Sequence, residues 1–265
     1  MRQYSYPLFN RSLFIDSSNL EEVKKWNATG VIDGVTTNQV IMLKDGIKPK
    51  EYDRVIKDIC LEMKGKPVSV ELTDSTVSAS EMVKEAIRLD SLANNIVVKV
   101  PMIPDTTKSL WVIQQLVKEN IAVNVTTMMT FEQMVMAILA TRHCDRPSFI
   151  SIFWGRSIED QVKYRGRFDF MSQFVRVGME EKVNQSPWNI VEATARFLER
   201  GGYENPKIIA GSIRTGTMAG EAYAAGAHIV TVTPDTLMAM LFSQRSIETI
   251  QQFDEAWKDM QKKGK

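Results

Sequence analysis

Four side chains suited to acid–base and nucleophilic chemistry stand in or at the ends of short apolar runs. Lys99 interrupts the run at residues 96–100, and Asp16, Glu71 and Thr126 occupy comparable places in three other runs. Burial of an ammonium group favours the neutral amine, and a neutral amine attacks carbonyl carbons to form a Schiff base. The carboxyl groups can move protons and a hydroxyl can orient water. These residues therefore predict imine chemistry on a carbonyl substrate.

Each of these residues also has an ordinary structural interpretation. The stem of Lys99 could pack in a strand while its ammonium group reaches water. Asp16 could cap the helix predicted to follow it, and Thr126 could be a hydrogen-bonded strand residue. Glu71 is harder to explain in this way, because an acid buried without a partner is costly. The convergence of a lysine with two acids favours the chemical interpretation.

Two arginines indicate an anionic ligand. Arg156 follows the sixth predicted strand, and Arg214 follows Ser212 after the seventh. Guanidinium groups form charge-assisted hydrogen bonds to phosphate, and Ser212 with the amides of the next helix could complete such a site. Surface ion pairing is the alternative interpretation for both arginines.

The elements that must position these residues alternate along the chain. Short runs rich in β-branched residues are separated by stretches with apolar residues three and four apart, which predict helices. The runs are apolar almost throughout, as is typical of parallel strands covered on both faces. The predicted strands are Leu13–Asp16, Gly34–Thr37, Pro67–Leu72, Asn95–Val100, Ile121–Thr126, Ser148–Trp154, Pro206–Ser212 and His228–Thr233.

Eight strands alternating with helices predict an α/β fold, a single-domain (β/α)8 (TIM) barrel that occupies residues 1–265. A doubly wound sheet is the competing arrangement, but it usually has a glycine-rich turn after its first strand, and this chain has Asp16-Ser17-Ser18 there. Residues 156–182 are predicted to form a loop with a short helix. A barrel brings the carboxyl ends of all strands to one mouth, where the candidate residues would meet.

A last helix is predicted from about 247 to 260. Its apolar residues Ile247, Ile250, Phe253 and Trp257 are three and four apart and form a stripe that needs a partner. The stripe could pack on its own barrel, which we slightly favour, or on a second copy in a homo-oligomer.

Composition excludes several classes of protein. Thirty-three Lys and Arg residues balance 32 Asp and Glu, so no basic field indicates a nucleic-acid partner. No apolar run approaches the ~18 residues that a membrane helix needs, and the N-terminal sequence lacks the features of a secretory signal. The two cysteines are far apart, and two histidines are too few to predict a histidine-based metal centre. We therefore expect a soluble, cytoplasmic protein without a metal site.

Six motifs together resemble the transaldolase family of class I (Schiff-base) aldolase barrels. The resemblance covers strands one to seven, and it implies a TIM barrel that needs no metal or organic cofactor and acts on small sugar phosphates such as fructose 6-phosphate. The motifs are Phe14-Ile-Asp16-Ser, Gly34-Val-Thr-Thr-Asn38, Val98-Lys99-Val-Pro101, Asn124-Val-Thr126, Phe153-Trp-Gly155-Arg156 and Gly211-Ser212-Ile-Arg214.

The same resemblance implies a role for each candidate residue. Lys99 would form the Schiff base, Asp16 would shuttle a proton, and Glu71 with Thr126 would hold the catalytic water. The residues implied to bind the dihydroxyacetone portion, the substrate hydroxyl groups and the phosphate are Asn38, Asn124, Ser151, Phe153, Arg156, Ser212 and Arg214.

Three positions separate the two activities of this family. Glu71, Asn124 and Phe153 look like the transferase pattern, because aldolase-type members tend to carry Gln and Tyr at the first and third of these positions. Gln39 and Trp154 depart from the usual family residues, which leaves the donor and the acceptor open. The alternatives are a fructose-6-phosphate aldolase, a transaldolase that builds long-chain sugar phosphates, and a barrel that binds sugar phosphates without turnover.

Overall fold

Eight parallel strands close into a barrel in the computed structural model, which describes residues 9–104, 106–163 and 186–263. Each strand pairs with the next in chain order, and β8 pairs with β1. The strands are β1 Ser12–Asp16, β2 Gly34–Thr36, β3 Val68–Glu71, β4 Ile96–Pro101, β5 Val123–Met128, β6 Phe149–Phe153, β7 Lys207–Ile213 and β8 Ile229–Val232. The predicted (β/α)8 barrel is confirmed, with strand ends within two residues of those expected.

Helices connect the strands on the outside of the barrel. They are α1 Leu20–Ala28, α2 Gln39–Lys44, α3 Tyr52–Glu62, α4 Ala79–Asp90, α5 Lys108–Lys118, α6 Phe131–Thr141, α7 Trp154–Lys163, α8 Pro187–Gly201, α9 Gly216–Ala225, α10 Pro234–Leu241 and α11 Gln244–Lys263. A 3-10 turn, Pro49–Glu51, precedes α3. Of the loop predicted over 156–182, residues 156–163 are helical, and the rest lies outside the described residues.

The strands bury both faces, which explains their nearly continuous apolar sequences. Outward-facing residues such as Val98 and Ile150 join a large core between the strands and the helices. Inward-facing residues such as Phe14, Val97 and Phe149 form a smaller core that fills the barrel. Because side chains alternate along a strand, the inward position of Val97 also turns Lys99 inward, as its spacing predicts.

The last helix leaves its apolar stripe in solvent. The helix is longer than predicted, and it has no buried residue: Phe253 is 68% exposed and Trp257 is 59% exposed. The favoured packing of this stripe on its own barrel is therefore wrong, because all four residues of the stripe are exposed. Association of copies stays a prediction. No helix in the described part of the chain is both long and apolar enough to cross a membrane.

Candidate active site

A cavity of ≈ 470 Å³ opens at the carboxyl ends of the strands. It gathers residues from all eight strands and from several of the loops directly after them. Ten of the eleven candidate residues line it: Asp16, Asn38, Glu71, Lys99, Thr126, Ser151, Phe153, Arg156, Ser212 and Arg214. These ten candidates therefore place one amine, two carboxyl groups, several hydroxyl groups and two guanidinium groups around a single space.

Lys99 is buried at the inner wall of this cavity, with 4% of its surface exposed. Its Nζ donates a hydrogen bond to the Thr37 carbonyl oxygen at 3.0 Å and lies 3.1 Å from Oε2 of Glu71. The two residues are register partners on β4 and β3, so the strands themselves fix this pairing. The stem of Lys99 does not carry its ammonium group to water. The amine is held inside the barrel, beside a carboxylate that can accept its proton.

Asp16 lies across the cavity mouth at the end of β1. Its Oδ1 accepts a hydrogen bond from the Thr36 hydroxyl at 2.8 Å. Burial raises the pKa of Asp16, whereas the charge of Lys99 and the Thr36 hydrogen bond act in the opposite direction. Asn19, and not Asp16, caps α1 with its side-chain oxygen. The carboxyl group of Asp16 is thus free of a capping role and has a raised affinity for a proton.

Two buried hydroxyl groups in the cavity wall have no hydrogen-bond partner among the described residues, and each sits at a strand irregularity. Thr126 Oγ1 lies where β5 shifts register against β6, next to Thr127 at φ 60°. Ser212 Oγ lies where β7 shifts register against β8, and Ser212 itself has φ 59°. Side chains other than glycine rarely adopt this conformation, so both irregularities store strain at the mouth. A substrate or a water in the cavity would satisfy both hydroxyls.

Asn124 and Asn38 differ in how far they reach the cavity. Asn124 is fully buried and does not line it; its amide nitrogen donates to Ser69 Oγ at 3.1 Å, and its Oδ1 accepts from Ser151 Oγ at 2.7 Å. Asn38 lines the cavity while its Oδ1 caps α2 by accepting from the Ile41 amide. Asn124 therefore reaches the cavity through the hydroxyl of Ser151, whereas Asn38 reaches it directly.

The two arginines stand on one side of the mouth in different environments. The guanidinium group of Arg156 lies over the ring of Phe153, 5.9 Å from its centroid. Arg214 pairs with Glu159 of α7, as the ion-pair interpretation expects, and it also lines the cavity, where binding of an anion stays a prediction. Gly155 permits this arrangement, because a Cβ there would overlap the Ser212 carbonyl oxygen and lie 3.1 Å from Cγ of Arg214. The glycine lets the start of α7 approach the end of β7.

Several cavity residues were not among the sequence candidates. Thr36 and Thr231 lie on the inner wall, and Gln39, at the start of α2, donates to the Leu72 carbonyl oxygen at 2.6 Å. Period two along β8 could have identified Thr231, because it shares the inward face with Ile229. Trp154 is buried in the outer core and does not line the cavity. Its unusual size thus affects the packing between barrel and helices.

The fold and the site define a class of protein: a (β/α)8-barrel enzyme with a buried lysine and two acids at the carboxyl ends of its strands. The profile of one family, Transaldolase/Fructose-6-phosphate aldolase, matches residues 13–264. A probable transaldolase of Streptococcus equi subsp. equi (strain 4047) is 32% identical over 251 residues, which span 94% of this chain and 99% of that protein. The chain belongs to the transaldolase/fructose-6-phosphate aldolase family and is an aldol-type transferase.

Other similar proteins agree with this assignment. A probable transaldolase of Methanococcus maripaludis (strain C7 / ATCC BAA-1331) is 38% identical over 173 residues, which span 64% of this chain and 73% of that protein. Among solved structures, dihydrodipicolinate synthase from Rhodopseudomonas palustris superposes with a TM-score of 0.57 at 11% identity, covering 88% of this chain and 74% of that one. At that identity the structural likeness shows the barrel fold alone.

Proposed function

We propose that this enzyme transfers a dihydroxyacetone unit from a ketose phosphate, such as fructose 6-phosphate, to an aldose phosphate through a Schiff base on Lys99. The observation that carries the proposal is the buried amine of Lys99, 3.1 Å from Oε2 of Glu71 and on the same cavity as Asp16. An amine, a proton acceptor beside it and a second acid across the cavity are what imine-based aldol chemistry requires.

The first half of the reaction forms and uses the imine. Lys99 Nζ, after giving a proton to Glu71, attacks C2 of the ketose, and the carbinolamine loses water to form a protonated imine. Asp16 then accepts the proton of the C4 hydroxyl as the C3–C4 bond breaks. The electron pair of that bond moves toward the imine nitrogen, so a three-carbon enamine stays on Lys99 and an aldose phosphate leaves.

The second half reverses these steps with a new aldehyde. C3 of the enamine attacks the carbonyl carbon of the acceptor, and Asp16 returns its proton to the new alkoxide. A water held between Glu71 and Thr126 then hydrolyses the imine and frees the new ketose. The hydroxyl of Thr126, which has no partner in the described part of the chain, supports this role, because a buried hydroxyl without a protein partner is a place for an ordered water.

The substrate is proposed to carry a phosphate because three groups on one side of the mouth suit it. Arg156 and Arg214 provide two guanidinium groups, and Ser212 Oγ is a buried hydroxyl without a partner among the residues that the structure describes. Phosphate oxygens would accept charge-assisted hydrogen bonds from all three. Lys99 then lies at the opposite, inner end of the substrate, where its reacting carbonyl would be.

A product analysis tests the transfer. The enzyme is incubated with fructose 6-phosphate alone and with an added aldose phosphate of four carbons, erythrose 4-phosphate, and the products are separated. We expect a seven-carbon ketose phosphate only when the acceptor is present, with little free dihydroxyacetone. Dihydroxyacetone that accumulates at the same rate with and without the acceptor would instead show a fructose-6-phosphate aldolase. Binding without any product would show a barrel that has lost turnover.

A further inference from the structure

Three side-chain oxygens form a line of hydrogen bonds on the inner wall of the barrel. Thr36 on β2 is the register partner of Asp16 on β1 and donates to its Oδ1 at 2.8 Å. Thr231 on β8, the strand on the other side of β1, lies with its Oγ1 2.5 Å from Oγ1 of Thr36. Both threonines are buried and line the cavity. The line thus runs from Thr231 through Thr36 to the carboxyl group.

When Asp16 is ionised, the chemistry of these groups fixes the direction of the hydrogen bonds. An ionised carboxylate only accepts, so the single proton of the Thr36 hydroxyl is committed to Asp16. The short contact between the two threonines then requires Thr231 to donate and Thr36 to accept. Donation to a hydroxyl oxygen polarises that hydroxyl and makes it a better donor in turn. Thr231 therefore strengthens the hydrogen bond that Asp16 receives.

The protein surroundings of Thr231 in the described part of the chain offer its hydroxyl group one partner. Thr36 is its only hydrogen-bond partner among the described residues. The neighbouring inward residue on β8, Ile229, is apolar and joins the core inside the barrel. A valine at position 231 would have nearly the same shape and no polar atom to bury. Within the protein, the contact with Thr36 is therefore what the hydroxyl of Thr231 adds over a valine.

We propose that Thr231 is a positioning residue that, through Thr36, orients the carboxyl group of Asp16 and stabilises its ionised form for proton abstraction. The inference rests on the proposed function, in which Asp16 accepts the C4 proton. It adds a residue that the transfer mechanism did not use. Thr231 would act without changing the net charge of the site.

Charged groups also face Asp16 and must be considered in any pH dependence. Lys99 from β4 and Arg214 from the loop after β7 favour its ionised form, whereas Glu71 from β3 disfavours it. Lys44 of α2 lines the cavity as well. Burial is the largest influence and raises the pKa of Asp16; the charge of Lys99 is the strongest influence in the opposite direction, followed by the hydrogen bond from Thr36. Thr231 would add to the contribution of Thr36.

The test is the pH dependence of transfer by Thr231→Val, which keeps the shape and removes the hydroxyl. Asp16 must be ionised to accept a proton, so the transfer rate should fall on the acid side as Asp16 is protonated. Without the Thr231 hydroxyl the ionised form is less stable. We therefore expect the pH at which the transfer rate falls to half its maximum on the acid side to rise by about half a unit, compared with about one unit for Thr36→Val. The change should appear in kcat with little change in KM.

Two further variants separate this effect from a general loss of packing. Thr231→Ser keeps the donor and should restore the wild-type profile, whereas Thr231→Ala should not; this pair also isolates the hydroxyl if the valine variant does not fold. Thr141→Val removes another buried hydroxyl, in α6, far from the cavity, and should leave the profile unchanged.

The outcomes distinguish the inference from the proposed function. Reduction of the reaction mixture with borohydride reports whether the imine on Lys99 forms in each variant. A wild-type enzyme that forms no imine overturns the proposed function and this inference together. The inference alone is overturned if the wild-type enzyme forms the imine and loses transfer activity at low pH, and Thr231→Val loses its activity at the same pH. An upward shift of this pH in Thr231→Val that is absent in Thr231→Ser supports the inference.

Discussion

Arg214 and Glu159 face each other at the rim of the cavity, with Nη2 of Arg214 3.1 Å from Oε1 of Glu159. Both side chains are about half exposed. An ion pair in that position is weak, because water screens it and two long side chains must be held in place. Glu159 therefore competes only slightly with an arriving phosphate for the same guanidinium group.

Variants of this pair should change substrate affinity in opposite directions. Arg214→Met removes a charge-assisted donor, and we expect KM for fructose 6-phosphate to rise at least about tenfold. Glu159→Gln removes the competing carboxylate and should lower KM by about twofold at low salt, an effect that salt weakens. Steady-state kinetics at two ionic strengths checks both. As a control, Arg88→Met, on the outer face of α4, should leave KM unchanged at both ionic strengths. Equal KM values in all variants would refute the phosphate site.

Asp16→Asn should separate imine formation from bond cleavage. The amide keeps the size of the side chain but cannot accept the C4 proton. We expect transfer to fall by at least about 100-fold, because positioned acid–base groups typically contribute this much. Borohydride should still trap substrate on Lys99, since the amine and Glu71 are intact. Asp33→Asn, before β2 at the other end of the barrel, serves as the control and should keep full transfer activity. If Asp16→Asn also keeps full transfer activity, another group accepts the C4 proton.

His228 should make folding stability depend on pH. Its Nδ1 accepts a hydrogen bond from the Ile208 amide, and burial lowers its pKa from 6.5 to about 4. The unfolded chain therefore binds a proton more readily than the folded protein between these values. The stability is fully present above about pH 6.5 and is lost as pH falls toward 4, by at most about 3 kcal/mol.

Urea unfolding at pH 7.0, 5.5 and 4.5 measures this dependence. His228→Asn retains an acceptor near the position of Nδ1 but cannot be protonated. This variant should lose less stability than the wild type over the same range. Parallel curves for the two proteins would show that other groups dominate the acid response.

Much of the site could be predicted because a barrel has a simple geometry. Strands covered on both faces need apolar residues at every position, so Lys99 and Glu71 stand out inside their runs. Because side chains alternate along a strand, Lys99 then points inward together with Val97. Once eight strands were counted, all their carboxyl ends had to meet at one mouth, which is why residues as distant as Asp16 and Arg214 line one cavity.

Short and neutral features were harder to predict. The helix α2 has six residues, too few to show helical periodicity, yet it brings Gln39 and Lys44 to the cavity. Thr231 carries no charge and lies in a strand where threonine is common; alternation along β8 could place it on the inner wall, but its contact with Thr36 could not be predicted. The periodicity of α11 showed that one face is apolar but carried no information about what covers that face.

The exposed face of α11 predicts association of copies. Isolated exposed apolar residues are ordinary, but a continuous stripe on one helix usually marks an interface. We expect light scattering to give a mass that is a multiple of the 30.1 kDa chain mass. Replacing Phe253 and Trp257 by Ser should reduce that mass, whereas Lys258→Ser on the same helix should not. A wild-type mass of one chain would contradict the prediction.

The most direct test of the whole account is reductive trapping of the imine. The enzyme is mixed with fructose 6-phosphate, reduced with borohydride, and analysed by intact mass and peptide mapping. We predict one adduct per chain, on the peptide that contains Lys99, absent from Lys99→Met and retained in Lys207→Met, whose lysine lies at the opposite end of the barrel. A folded enzyme that binds the substrate but gives no adduct, or an adduct on another lysine, would contradict the account.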